Sequence, residues 1–200
     1  MKLLVVGKGG REHAFVWKLA QSPKITKLYA APGSPGMAQH AECVDISGSD
    51  LTGLAAFAQK ESIDITVIGP EAPLADGIVD MFTERGLTVF GPTQAAAQIE
   101  ADKDFALGLM HKYGIPTGAY ETYTDAATAK AQLKEWKHPI YLKVSGLAAG
   151  KGAIYCETLE DSYKTVDEVL VQRVFGDSGS KLVAMEFLEG EEASIFGFTD

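Results

Sequence analysis

Four short apolar runs in the first ninety residues each end at glycine or proline. They are 3–6 before Gly7, 28–31 before Pro32 and Gly33, 63–68 before Gly69 and Pro70, and 87–90 before Gly91 and Pro92. Apolar runs of this length without polar alternation read as strands covered on both faces, as in a parallel sheet. Helix signals lie between them. Ala14, Trp17 and Leu19 fall near one helical face, and a helix is expected over 77–85. Asp50 is placed to cap a helix running to Lys60, with Leu51, Leu54, Phe57 and Ala58 inward. Strand and helix alternating, with Gly/Pro loops at the strand carboxyl ends, predict an α/β doubly wound domain over about residues 1–100.

The second half has a different rhythm. A mostly helical stretch, 94–113, leads out of the first domain and is broken by Gly114, Ile115 and Pro116. A helix over 125–136 and a strand over 140–144 follow. Then come a glycine-rich loop over 146–152, a strand over 153–156, a helix opened by Thr158 in a capping-box-like start, and a strand over 181–187. This order predicts a small α+β lid with an antiparallel sheet over about 117–188, with Gly114 and Gly190 as flanking hinges. Residues 194–198 read as one more strand, and a chain stopping there leads us to expect that more protein follows.

Composition narrows the function classes. A formal charge of −9 over 200 residues disfavours nucleic acid and anionic membrane as partners. Cys43 and Cys156 stand far apart with no metal-ligand spacing, so both are expected to be packing residues in a reducing compartment. The apolar run at the N-terminus is too short for a signal peptide or a membrane span, which predicts a cytoplasmic protein.

Two segments carry chemistry. Gly7, Lys8, Gly9, Gly10 and Arg11 follow the first strand, where backbone N–H groups and an arginine can meet an anion; the same residues also make a plain tight turn. The dinucleotide fingerprint is disfavoured, because Glu12 stands at its third glycine and no acid follows the second strand. The loop at Gly69, Pro70 and Glu71 opens on the same crevice, where an acid can bond sugar hydroxyls. In the lid, Lys143 and Lys151 flank small residues that let backbone close over phosphates. It is not a P-loop, since Ser145 holds the first glycine position and Gly152 follows Lys151. The acid run after 185 reads by itself as a solvated face. No Ser/His or Cys/His constellation is evident.

In order and spacing, the segments GKGGREHA, APG, GPEAPL, FGP, ADK, LKVSGLAAGKG and EFLEGEEAS resemble the phosphoribosylamine–glycine ligases, an ATP-grasp family, from Met1 to the last residue. The resemblance implies a pre-ATP-grasp, Rossmann-like domain over 1–100 and a partial ATP-grasp domain over 101–200. It implies ATP-dependent joining of glycine to 5-phosphoribosylamine through a glycyl phosphate in purine biosynthesis. The implied partners are small molecules (phosphoribosylamine, glycine and ATP), with Mg²⁺ or Mn²⁺ held by ligands outside this chain; whether the protein is a monomer or dimer does not follow from the sequence.

Residue by residue, it implies that Lys103, Lys143, Gly146, Ala149, Gly150, Lys151 and Gly152 grip or cover ATP phosphates. Glu186, Phe187 and Leu188 would receive adenine, and Glu192 the ribose. Gly9, Gly10, Arg11, Glu12, Pro32, Gly33, Gly69, Pro70 and Glu71 would line the phosphoribosylamine pocket. No protein nucleophile is implied. Val144 and Ser145 stand where members usually have Ala-Asp, and Met185 where Glu is common beside adenine. Members run to about twice this length, so the chain alone is expected not to ligate glycine.

Overall fold

A computed structural model describes residues 1–195 and Gly197 and divides into two compact units, Met1–Ala101 and Asp102–Asp200. The first unit runs β1 (Lys2–Gly7), α1 (Gly10–Leu19), β2 (Lys27–Pro32), β3 (Glu42–Cys43), α2 (Leu51–Glu61), β4 (Ile65–Ile68), α3 (Glu71–Ala75), α4 (Ile78–Glu84), β5 (Val89–Phe90) and α5 (Gln94–Ala101). Its sheet is parallel in the order β3-β2-β1-β4-β5. Chain order reverses between β1 and β4, which is where a ligand crevice opens in such sheets.

Neighbouring residues of one strand feed two cores, which is why the apolar runs show no alternation. Leu4, Val6, Tyr29 and Ala31 pack with Leu54 and Ala58 of α2 and with Ile78 and Phe82 of α4. Leu3, Val5, Leu28 and Ala30 pack with Val16 of α1 and with Met37. The face expected of α1 is turned: Val16 and Glu12 are buried, whereas Ala14 and Trp17 are exposed. The Asp50 carboxylate accepts the Gly53 N–H at 2.9 Å, satisfying one orphan donor of α2. Asp50→Ala is expected to remove about 1 kcal/mol, read as an earlier midpoint in urea denaturation; an unchanged midpoint contradicts the capping role.

The second unit runs α6 (Lys103–Tyr113), β6 (Tyr120–Tyr123), α7 (Ala126–Gln132), β7 (Ile140–Val144), β8 (Ala153–Cys156), α8 (Leu159–Val166) and β9 (Leu182–Glu186). The expected helical stretch 94–113 is two helices. Asp102 interrupts it and caps α6 by accepting the Phe105 N–H at 3.1 Å. The sheet is antiparallel in the order β6-β9-β7-β8. One face buries Ile140, Leu142, Val144, Leu182 and Ala184 with Val166 and Val169. Thr158 and Asp161 form the capping box of α8. The strand expected over 194–198 extends beyond the described residues, and Ser194 and Ile195 are not in a strand.

Candidate functional site

The crevice of the first unit is built from glycine walls around one acid. Glu12 is 4% exposed and its Oε2 accepts the Gly9 N–H at 2.8 Å. A Cβ placed on Gly7, Gly9 or Gly69 would lie under 3.0 Å from the Glu12 side chain. So the carboxylate occupies the gap between the ends of β1 and β4, which a fingerprint glycine would leave open to a pyrophosphate.

Arg11 lies across the crevice mouth. Its Nη1 meets Glu71 Oε1 at 2.8 Å and its Nε meets Glu12 Oε1 at 3.0 Å. The hydrogen bonds it donates to Glu71 and then Glu12 hold the guanidinium above its ordinary value, and the bond accepted from Arg11 holds the Glu71 carboxyl below the ordinary carboxylate range. Arg11 and Glu71 are each about half exposed, so their pair positions more than it stabilises.

Beside them a pocket of about 260 Å³ is lined by Gly7, Gly9, Glu12, Pro32 and Pro70. Lys8, from the glycine segment, also lines it, as do Ser47, Gly48, Ser49 and Asp76, which were not picked out from sequence. Ser47 and Ser49 share a hydroxyl bond of 2.8 Å, and a Ser-Gly-Ser run after a strand was the only signal available for them. Gly10, Arg11, Gly33, Gly69 and Glu71 do not line this pocket. Gly33 instead packs against Cys43 Sγ, and His13 packs against Gly36. The expected loop at Glu71 is the short helix α3. Pro73 falls in its first turn, where no intrahelical N–H is needed.

In the second unit, Lys103 opens α6 and Lys143 lies on β7. Burial and then Lys103 push the Lys143 ammonium below its ordinary value, against a smaller pull from Glu192. Lys103 thus adds to the cost that burial places on the Lys143 charge. Lys143 Nζ also sits 5.6 Å from the Tyr141 ring centroid. Tyr141 stacks on Phe187 at 6.0 Å, and Tyr155 meets both edge-on. These rings form an apolar shelf beside the lysine. Leu188 is 64% exposed beyond it. The Glu186 N–H is taken by the Ala119 carbonyl at 2.9 Å, and its Oε2 accepts the Ala119 N–H at 3.0 Å.

The loop 146–152 is a tight hairpin. The Lys151 N–H donates to the Ala148 carbonyl at 2.9 Å, with Ala149 at φ +49° and Gly150 at φ +78°. Two consecutive left-handed residues match the twist of a two-residue hairpin turn, and Ala149 takes that conformation at a cost that Gly150 avoids. The base of the loop is fixed: Gly146 N–H donates to Ser178 O at 3.0 Å, and Ser178 Oγ donates to Leu147 O at 2.7 Å. The Lys151 side chain at the tip is exposed, with no such tether among the described residues. Gly114 ends α6 at φ +65°, which is reason enough for a glycine there. Among the described residues no group of three or more His, Cys, Asp or Glu side chains is placed to hold a metal ion, so they do not fit the implied divalent cation. No described helix is long and apolar enough to cross a membrane.

Comparison with known proteins covers both units. The family model described as phosphoribosylglycinamide synthetase, N domain, matches residues 1–100, and the one described as its ATP-grasp (A) domain matches 101–200. Phosphoribosylamine–glycine ligases from Ralstonia nicotianae and Vibrio parahaemolyticus are 50% and 47% identical across the whole chain. The chain spans about half the length of these curated relatives, 47% of each. Among solved structures, phosphoribosylamine–glycine ligase from Thermotoga maritima aligns with TM-score 0.77 and 25% identity over 96% of this chain and 45% of that one. N5-carboxyaminoimidazole ribonucleotide synthetase from the same organism shares the fold, with TM-score 0.68 and 16% identity over 94% of this chain and 46% of that one.

Proposed function

Because the chain belongs to the phosphoribosylglycinamide synthetase family, we propose that it supplies the phosphate grip and the phosphoribosylamine side of an ATP-dependent ligation of glycine to 5-phosphoribosylamine. The observation that carries this reading is Lys143 on the strand that leads into the glycine-rich hairpin, a partly buried cation whose charge is opposed by burial and by Lys103. A partly buried cation with a second cation acting on it is costly unless an anion of high charge joins them.

In this assignment residues 1–100 are the pre-ATP-grasp domain and 101–200 part of the ATP-grasp domain, with the lid at about 117–188. Lys103 and Lys143 hold the triphosphate, and the hairpin with Gly146, Ala149, Gly150, Lys151 and Gly152 covers it. The aromatic shelf at Phe187, with the backbone of Glu186 and Leu188, receives the adenine, and Glu192 the ribose. In the first unit Gly9, Gly10, Arg11 and Glu71 face the sugar phosphate, with Glu12, Pro32 and Pro70 lining the pocket and Gly33 and Gly69 standing in the loops that border it. Free Cys43 and Cys156 agree with a reducing cytoplasm.

The chemistry is carried by the reactants. A glycine carboxylate oxygen takes the γ-phosphoryl group and ADP leaves. The phosphoribosylamine nitrogen then attacks the carbonyl carbon, the C–O bond to phosphate breaks, and the amine loses a proton. Lysine charges and a closed lid favour the first step by neutralising and orienting phosphate oxygens.

The test uses the 200-residue chain and NMR titration. A non-hydrolysable ATP analogue is expected to shift Lys143, the hairpin and Leu188, whereas ribose 5-phosphate is expected to shift 7–11 and 47–49. Silence to both ligands at saturating concentration removes the reading. No glycine-dependent ADP release is expected from these 200 residues alone; turnover by them would overturn that part.

A further inference from the structure

The geometry points to Ser145 as a positioning residue: it holds Asp102, Lys103 and Asp104 at once, and so fixes the start of α6 against the end of β7. That fixes the separation of Lys103 from Lys143. The inference rests on reading the two lysines as a phosphate grip. Ser145 is 3% exposed and all its polar groups are used. Its carbonyl accepts the Lys103 N–H at 2.9 Å, and its Oγ accepts the Asp104 N–H at 2.9 Å. The same hydroxyl donates to Asp102 Oδ1 at 2.6 Å, and the Ser145 N–H donates to Lys181 O at 3.1 Å.

A clamp is needed because Lys103 is badly placed without one. It is the first residue of a helix, where the macrodipole is positive, and Lys143 repels it as well. The acids on either side of Lys103 do not pair with it. Both carboxylates go to Lys181, Asp104 Oδ2 at 2.7 Å and Asp102 Oδ2 at 3.3 Å, and Thr122 donates to Asp104 Oδ1 at 2.8 Å. Burial works against the ionised Asp102, but Ser145, the Phe105 N–H and Lys181 outweigh it and hold the carboxyl below its ordinary value. The network therefore anchors the residues around Lys103, whose ammonium has no hydrogen bond or ion pair among the described residues.

The test follows the Lys143 side chain by NMR through its titration in the 200-residue chain; the charged groups acting on it are Lys103 and Glu192. Lys103→Met sets the reference, an upward move of the midpoint toward 10.5. Ser145→Ala is expected to move the midpoint the same way, with the far-UV spectrum unchanged. Asp102→Ala removes the other end of the same bond from a half-exposed position, and serves if Ser145→Ala does not fold. Loss of a nearby negative charge would by itself push the lysine down, so an upward move reports separation. Asp102→Asn keeps an acceptor for both the hydroxyl and the Phe105 N–H while losing the same charge, and is expected at or slightly below the parent midpoint. If Lys103→Met raises the midpoint while Ser145→Ala and Asp102→Ala leave it unmoved, Ser145 does not set the spacing; if Lys103→Met leaves it unmoved, there is no pair to position. Failure of the parent chain to bind the ATP analogue would sink the nucleotide reading alone, since these titrations contain no nucleotide.

Discussion

Gly69→Ala is expected to destabilise the first unit by about 3 kcal/mol, the upper end for forcing a methyl into a packed site. The backbone is not the cause, since Gly69 has no left-handed φ. The obstacle is Glu12, whose Cγ would lie under 3.0 Å from the new Cβ. Cγ is not the free end of a mobile side chain. Glu12 is anchored at one oxygen by the Gly9 N–H and at the other by Arg11. To make room the acid must leave its crevice, giving up the cap of α1 and the orientation of Arg11. Glu12→Ala alone should cost about 1–2 kcal/mol, the scale of a lost cap and a charged hydrogen bond. The double variant should then fall short of the sum by about 2 kcal/mol, because the second substitution removes what the first collides with. Urea denaturation of the four proteins reads the cycle. Strictly additive losses would mean that Glu12 does not set the glycine requirement.

The same residue shows what the sequence made legible. Glu12 at the third fingerprint position, with no acid after the second strand, disfavoured a dinucleotide but did not say where the Glu12 side chain goes. That needed Gly7 and Gly69, brought together by β1 and β4, which are more than fifty residues apart in the chain. Strands with long apolar runs were readable because burial on both faces leaves a compositional mark. β3 was not, since Glu42 and Cys43 are both exposed and only two residues pair. β6 has a half-exposed edge pattern, and α3 hides behind two prolines. In the lid, the lysines and glycines stood out by type. Ser145 was visible only as a departure from a family pattern, because its hydrogen bonds to Asp102 and Asp104 span about forty residues.

Lys143→Met should act in opposite directions on stability and on nucleotide affinity. Burial and Lys103 both disfavour the charged lysine in the folded unit, and only Glu192 offsets them. With a folded value below 10.5, the unfolded chain holds this proton more tightly than the folded one. The penalty is therefore full below the depressed value and fades as pH rises to 10.5. Methionine keeps the stem and removes the charge, so the variant should melt above the parent near neutral pH, with the gap closing as pH climbs. A bound triphosphate reverses the logic, since its negative charge favours ionised Lys143. Loss of that charge-assisted contact should weaken binding of the ATP analogue about 100-fold. Binding by the parent should take up a proton in the window between the depressed value and 10.5, so affinity falls with rising pH there. Thermal melts across this range, with calorimetric titrations in two buffers of different ionisation heat, separate the effects. A variant that gains stability yet binds the analogue as tightly as the parent would place the phosphates elsewhere. One that loses both would make Lys143 a packing residue. Only a gain in stability with a loss of affinity fits a lysine held at a cost until phosphate arrives.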